Sequence, residues 1–451
     1  MRRLLLAFVE TRTNQNSVVA LTGAVEASRV GDVVDVIYLR PRPGPWAQQA
    51  APLLSLLAGA DVAVIGFSFL TADLVEVARQ VAELRAAFGT GRAGAYCTTP
   101  LRTTPLLLAG GAHASAEPDE TLALGFDLVL RGEAEESLPA LLHALLHGGS
   151  LDDVPGLARV VDGVVRKNAR APTVDLDRHP PFAPFHRRFG PFEITRGCPF
   201  ACRFCQTSYL MGARMRHRSV DGLVDAARRA RRLGLKDLRM VTPDAFAYGS
   251  PDGRTTAPAE LERLLVGLSS VFGRDHVFCG SFPSEVRPES VTPETIGLVT
   301  RLAANDNVVL GAQSGSDAML ARLHRGHDVE AVLRAVDTIR GAGLLPIVDF
   351  IYGLPGEEET DRVATRAFMQ HVADRGAIVH GHVFMPLPGT PLGKSPPTSV
   401  DVETRDLLDR LGGQGMQIGK WRAQEETAQR VDAFRRTPLA GDGGRGAGEA
   451  G

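Results

Sequence analysis

Continuous apolar runs recur along the first third of the chain: LLLAFVE (4–10), VVDVIYL (33–39), DVAVIGFSF (61–69), PLLLAGG (105–111) and FDLVLRG (126–132). They read as unbroken hydrophobic blocks, the pattern of parallel strands buried on both faces. Between them lie stretches of helical period, such as LVEVARQVAELRAAF (74–88) and EESLPALLHALLH (135–147). Five strand–helix units in series predict an α/β domain over residues 1–150, a doubly wound parallel sheet. Ligands of such sheets bind beyond the carboxyl ends of the strands.

The rhythm breaks over residues 151–190, where VVDGVVRK predicts a hairpin and RHPPFAPFHRRFGPF repeatedly lacks backbone donors. This segment reads as a linker. Alternation returns over 191–395 with six strand candidates, FEIT, DLRMVT, HVFCGSF, NVVLGAQS, PIVDFIYG and VHGHVFMPL. Six units predict a partial (β/α)6 barrel with its site on the carboxyl rim. One helical segment follows over 396–435, then a Gly- and Ala-rich stretch, 436–451, expected to be disordered.

Composition changes this picture little. The chain has 451 residues and a net charge of −2, so no broad field attracts nucleic acid or an acidic membrane. MRRLLLAFVE has too short an apolar run for a secretion signal, and no run approaches the roughly 20 residues that span a bilayer. The expectation is a cytoplasmic protein. Five cysteines, three of them crowded, do not make a disulfide framework.

Those three, Cys198, Cys202 and Cys205, form C-x3-C-x2-C directly after the first barrel strand. Soft thiolates at short spacing suit an iron–sulfur centre or zinc. A [4Fe–4S] cluster on three thiolates keeps one iron open to a ligand. A zinc site would need a fourth ligand such as His217, and a buried group of free thiols is the plainest alternative. Cys97 and Cys279 read as small apolar residues.

CPFACRFC, with Phe204 just before the last cysteine, resembles the signature of radical S-adenosylmethionine (SAM) enzymes. The resemblance implies a partial barrel, a [4Fe–4S] cluster, SAM bound at the open iron, and an electron donor of flavodoxin or ferredoxin type. It extends along the barrel toward the coproporphyrinogen-dehydrogenase and methylthiotransferase branch. Thr242 and Pro243 stand after the second strand, although MVTPDAFAYG lacks the branch's glycines. Glu285 to Pro288 matches E-x-x-P, Gln313-Ser314-Gly315 matches Q-S-G, Arg325 follows, and Asp349 precedes GLPG. On this resemblance Phe204, Thr242, Glu285, Gln313, Arg325 and Asp349 contact SAM, with Arg325 on its carboxylate.

In the first domain FSFLT offers Ser68 and Thr71, AGGAHAS offers Gly110, Gly111 and Ser115, and RGEAEES offers Gly132 and Glu133. Tight β–α turns are the plain reading of these glycines. Followed by such a barrel, the segments resemble the cobalamin-binding domain of cobalamin-dependent radical SAM enzymes, which makes these seven residues candidate cobalamin contacts. The motif D-x-H-x-x-G is absent; DRHPPF (177–182) is the nearest match, and His113 is a candidate axial ligand or a loop hydrogen-bonder. Methylthiotransferases carry three cysteines in their first domain and a C-terminal RNA-binding β-barrel, whereas here the first domain has Cys97 alone and a helical C-terminus is expected.

The basic loop GARMRHRS (212–219) is a candidate anion site, Asp244, Tyr248 and His324 are candidate proton carriers, and MPLPGTPLG (385–393) a candidate adenine wall. The expected function is cobalamin-dependent methyl transfer to an unactivated carbon of a small molecule or peptide. Ring rearrangement, a methylthiolation-like reaction, and a non-catalytic metal- or corrinoid-binding role are the alternatives.

Overall fold

A computed structural model describes residues 2–41, 44, 59–88 and 104–437. Cys97 and nearly all of the expected tail lie outside the described residues.

The predicted apolar runs form strands β1 (Leu4–Val9), β2 (Val34–Leu39), β3 (Val62–Ser68), β4 (Leu106–Gly110) and β5 (Leu128–Leu130). They pair in parallel in the order β2-β1-β3-β4-β5. The chain reverses direction about β1, which places a crevice at the carboxyl ends of β1 and β3.

The sheet does not end at residue 150. The hairpin β6 (Leu157–Val161) and β7 (Val164–Lys167) adds two antiparallel strands beside β5. Asp162 and Gly163, both at positive φ (51° and 78°), make its two-residue turn. The hairpin thus belongs to the first domain rather than to a linker. It covers the β5 edge, whose unpaired backbone groups would otherwise face water.

The six expected barrel strands are present as β8 (Phe192–Glu193), β11 (Leu238–Val241), β12 (Val277–Phe278), β13 (Asn307–Gln313), β14 (Leu345–Tyr352) and β15 (Ile378–Val383). Between β8 and β11 the cysteine loop is flanked by β9 (Thr195–Arg196) and β10 (Arg216–His217). All six run parallel around an open barrel, joined across its middle by a bridge between Val286 and Leu310. A short seventh strand, β16 (Gln417–Ile418), pairs with β15.

The single helical segment expected after 396 is two helices, Val402–Gly413 and Trp421–Arg436, with β16 between them. The second lies across both domains. Val431 joins the first domain's core and Arg435 pairs with Glu117 and Glu120 at 2.9 Å. On the barrel side Gln424 Oε1 accepts from the Val383 N–H at 3.0 Å.

A buried ionic network closes the other side of the junction. Arg196, on β9, donates to Glu133 at 3.0 Å, and to Glu135 and Glu193 at 2.6 Å each. Arg216, on β10, also reaches Glu133, whose carboxylate further accepts the Val174 N–H at 3.0 Å. No described helix is long and apolar enough to cross a membrane.

Candidate active site

The cysteine loop opens with Gly197 at φ 90°, where a side chain would drive into the carbonyl of Arg214. This turn carries Cys198, Cys202 and Cys205 onto one wall of a cavity of 570 Å³. All three are free thiols, Cys202 buried and the other two half-buried. The volume lies in the range of cofactor-sized pockets.

Every residue expected to contact SAM lines the same cavity: Phe204, Thr242, Glu285, Gln313, Arg325 and Asp349. Phe204 belongs to the cysteine loop, Thr242 and Glu285 follow β11 and β12, Gln313 ends β13 with Arg325 in the turn beyond it, and Asp349 lies on β14, so the barrel topology gathers them. Arg325 is 7 % exposed; its Nη2 donates to the Gly311 carbonyl at 2.7 Å and its Nη1 lies 3.4 Å from Cys202 Sγ. Its Nε is buried and has no partner. An unpaired buried donor beside three thiols is what an anionic ligand at this position would satisfy.

Gly311 sits where these groups converge. A Cβ there would lie 2.5 Å from Gln313 Nε2, 3.2 Å from Arg325 Nη2 and 3.4 Å from Glu285 Oε2. Gln313 holds φ 75°, a left-handed conformation uncommon for a non-glycine residue and concentrated at functional sites. The residues present therefore fit a cluster on three thiolates with a carboxylate-bearing cofactor beside it.

The acidic pair behind this point is electrostatically asymmetric. Glu285 is open to the cavity but packed round with protein on its other sides, and burial and then the Asp349 charge push its pKa up. Burial alone would raise Asp349 too, but hydrogen bonds from His380 and His382 outweigh it and hold Asp349 below the usual range. His380 Nδ1 lies 2.7 Å from Asp349 Oδ1 and 3.2 Å from His382 Nε2. Gln424, its oxygen taken by Val383, turns its amide nitrogen to His382 Nδ1 at 3.3 Å. That contact makes Nδ1 an acceptor and assigns the His382 proton to Nε2, facing His380 and Asp349. The three ligand-type atoms lie within 4.8 Å of one another, but this tautomer suits proton sharing better than metal binding.

A folded-state carboxyl with a raised pKa keeps a proton that the unfolded chain has released. Stability then falls as pH rises from the ordinary glutamate range, about 4.3, through the raised value. Glu285→Gln is expected to flatten the decline of Tm between about pH 5 and about pH 8, read by thermal melts of the apoprotein.

Two groups in the site escaped the sequence reading. His380 and His382 stand two apart on β15 and so share a face; the alternation in VHGHV was the available signal. Arg287, inside E-x-x-P, is buried, stacks its guanidinium 3.4 Å from the Phe200 ring centroid, and binds Glu289 at 2.6 Å and the Arg325 carbonyl. It ties the cysteine loop to the Arg325 turn.

Other expected residues lie elsewhere. His217 binds Thr195 Oγ1 at 2.8 Å and the Ser250 carbonyl at 3.0 Å, so its two nitrogens are not offered to the cysteines. Arg216 and Arg218 are consumed by the network at the domain junction and by the carbonyls of Leu176, His179 and Glu193. They leave Arg214 as the exposed basic residue of the loop. Asp244 accepts from Ser290 at 2.6 Å and its pKa is pushed up to about 6 by burial; Tyr248 donates to the Arg218 carbonyl at 2.6 Å. Neither lines the cavity, and neither does His324, whereas Met385 and Leu387 of the Pro/Gly turn do.

None of the seven first-domain candidates lines this cavity. Ser68 pairs with Ser17 at 3.0 Å, Thr71 with His113 at 3.1 Å, and Ser115 accepts the Gly132 N–H at 2.9 Å. Glu133 is held in the ionic network. Gly111 takes φ 89°, with Phe69 backbone 2.6 Å from where its Cβ would be, so the tight turn accounts for it; Gly110 opens the same turn. His113 is fully buried, stacked on Phe69, and burial, with the Arg435 charge, pushes its pKa down to about 3. It is the loop hydrogen-bonder. The first domain reaches the cavity instead through Leu70, 42 % exposed, and Ala72, just past β3.

Residues 192–369 match the family model described as the radical SAM superfamily, so the barrel is a radical SAM domain. Among solved structures, the chain is similar to the radical SAM methyltransferase TsrM from Kitasatospora setae with cobalamin and a [4Fe–4S] cluster bound. That likeness has TM-score 0.66 at 17 % identity, over 88 % of this chain and 75 % of that one. The cobalamin-dependent radical SAM enzyme OxsB aligns with TM-score 0.61 at 17 % identity, over 82 % of this chain and 52 % of its own. These likenesses establish the two-domain fold. By sequence the chain is 29 % identical over 264 residues to tRNA-2-methylthio-N(6)-dimethylallyladenosine synthase of Geobacter sulfurreducens, 56 % of this chain and 57 % of that one. The Halorhodospira halophila synthase of the same name is 29 % identical over 319 residues, 68 % and 62 % respectively. The chain thus spans less than two thirds of the length of these curated relatives.

Proposed function

Starting from a radical SAM domain at residues 192–369, we propose that the chain is a cobalamin-dependent radical SAM methyltransferase acting on an unactivated carbon of a small molecule or peptide. The observation that carries this reading is a single chamber with two walls. Cys198, Cys202 and Cys205 stand on the barrel side, and Leu70 and Ala72, at the carboxyl end of the first sheet, on the other.

Bound together, the cluster and SAM supply a 5′-deoxyadenosyl radical and cobalamin a transferable methyl group. The chain's own share is orientation. The three cysteines hold the cluster and leave one iron open. Arg325, whose Nε has no partner, would pair with the methionyl carboxylate, and Gln313 and Glu285 would offer polar atoms to the amino and ribose groups. Phe204 and Leu387 bound the space beside the adenine. Leu70, exposed in the chamber, would offer the corrin an apolar contact, while the hydroxyls of Ser68, Thr71 and Ser115 are engaged within the first domain. Enclosure between the walls keeps water from a radical.

A second reading, methylthiolation, is favoured by the curated relatives. Against it, the first 150 residues contain Cys97 as their sole cysteine, too few to hold a second cluster on three thiolates. The deciding experiment is anaerobic reconstitution with iron and sulfide, with and without hydroxocobalamin, followed by SAM and reductant. The proposal expects corrinoid binding, 5′-deoxyadenosine and methylcobalamin. Protein that cleaves SAM but retains no corrinoid through gel filtration would overturn the cobalamin part.

A further inference from the structure

We infer that His380 and His382 are positioning residues for the cofactor, holding the Asp349 carboxylate as an acceptor for the two ribose hydroxyls of SAM. The inference rests on the SAM assignment above and deepens it. The cysteine signature and the strand-end motifs leave β15 without a polar role, yet β15 supplies both histidines.

Asp349 and His380 stand opposite each other in register on β14 and β15, and His382 follows two residues on, along the same face. His380 Nδ1 lies 2.7 Å from Asp349 Oδ1, and His382 Nε2 lies 3.8 Å from the same oxygen. Both histidines address Oδ1, and neither takes Oδ2. Among the described residues no lysine or arginine pairs with Asp349. Glu133 is the contrast, clamped by Arg196 and Arg216 together. A guanidinium fork can occupy both oxygens of a carboxylate, whereas an imidazole presents one N–H to it. The histidines therefore orient Asp349 and leave it acceptor capacity.

The pair is itself held from behind. The Val383 N–H fixes Gln424 Oε1 at 3.0 Å, which turns the amide nitrogen to His382 Nδ1 at 3.3 Å. The helix carrying Gln424 is anchored on the barrel at the same level. Glu425 accepts the Val400 N–H at 2.9 Å and Arg405 Nη2 at 2.7 Å, and Trp421 is buried. The helix that spans both domains thus reaches Asp349 through His382.

Asp349 is 2 % exposed and lines the chamber with Glu285. Two neighbouring buried carboxyls do not both ionise unless one of them is supported. The histidines support Asp349, and Glu285 keeps the proton. An ionised carboxylate only accepts hydrogen bonds, and a vicinal diol brings two donors to it. The amine and carboxylate of SAM share one carbon, so the amine lies close to Arg325. There Glu285 Oε2 and Arg325 Nη2 converge on Gly311, within 3.4 Å and 3.2 Å of where its Cβ would be. Asp349, one strand further along the rim, is left for the ribose.

The test measures binding to the reconstituted holoenzyme without reductant, using two probes, SAM and its 2′,3′-dideoxyribose analogue. His380→Leu is expected to weaken SAM by about tenfold or more and the analogue by less than about twofold. His380→Asn, whose amide nitrogen stands near the place of Nδ1, should hold SAM within about threefold of the unaltered protein. His382→Leu acts in the same direction and more weakly, its nitrogen being further from Asp349. Unchanged iron content and analogue binding report that each variant is folded and loaded. Equal losses for the two probes in His380→Leu would overturn the inference, as would no loss for either or an Asn variant no better than Leu. So would an unaltered holoenzyme that binds both probes equally. If His380→Leu does not fold, His382→Leu carries the same comparison, with the same results overturning it. An unaltered holoenzyme that binds neither probe would instead overturn the proposed function.

Discussion

Cys202→Ala is expected to give a folded protein that binds no [4Fe–4S] cluster and makes no 5′-deoxyadenosine above background, a loss of at least about a thousandfold. Two thiolates cannot hold the cube against solvent and chelators, and Cys202 is the one of the three that is buried and lies beside Arg325. Removing its sulfur costs little in packing, since the loop's shape rests on other contacts. Ser208 accepts the Ala201 N–H at 3.1 Å and donates to the Cys198 carbonyl at 2.6 Å, and the Cys205 N–H returns to Cys202 O at 3.0 Å. The checks are iron and sulfide content, visible absorbance and far-UV circular dichroism on one sample. A variant that retained the cluster and the activity would remove Cys202 from the ligand set.

Arg196→Met should destabilise the protein by about 3–5 kcal/mol at neutral pH, the cost of breaking a buried ion network by deleting one partner. Glu135 feels it most. Its burial acts to raise its pKa, and the charge and hydrogen bond of Arg196 outweigh that and hold it lowered. In the unaltered protein this pairing stabilises above the carboxyl's unfolded pKa and is lost as pH falls through the folded value. In the variant the sign reverses: an uncompensated buried carboxylate prefers its proton, so the folded state gains on acidification. The difference in Tm between the two proteins should therefore narrow from about pH 7 to about pH 5. A difference that stays constant with pH would mean that lost packing, not charge, sets the cost.

That network also marks where the sequence stops being informative. Unbroken apolar runs reveal β1 to β5 and β13 to β15 because burial on both faces writes itself into composition. The Asp162-Gly163 pair reveals the hairpin turn, but not that the hairpin joins the first sheet, because strand partners are chosen by the free edge of β5. β16, two residues long, has no period to read. In the site, Cys198, Cys202, Cys205, Arg325 and their companions were legible because their order follows the barrel's strand ends. Glu133 reads as a ligand contact because a glycine and an acid after a strand look ready for one. Only the fold brings Arg196, 63 residues on, against that carboxylate. The hydroxyls of Ser68, Thr71 and Ser115 likewise each meet a partner within their own domain, which no local pattern announces.

The helix Trp421–Arg436 adds a dimension of time. It supplies Gln424 to the chamber and Arg435 to the first domain, yet the chain before it already contains every strand of both sheets, β16 included. Domains form as units in the order they are synthesised. The cysteine loop thus emerges from the ribosome 231 residues before the end of the helix that finishes its enclosure, counted from Cys205 to Arg436. During that interval the nascent chamber lacks the wall that carries Gln424, and its thiols are open on a side that the finished protein closes.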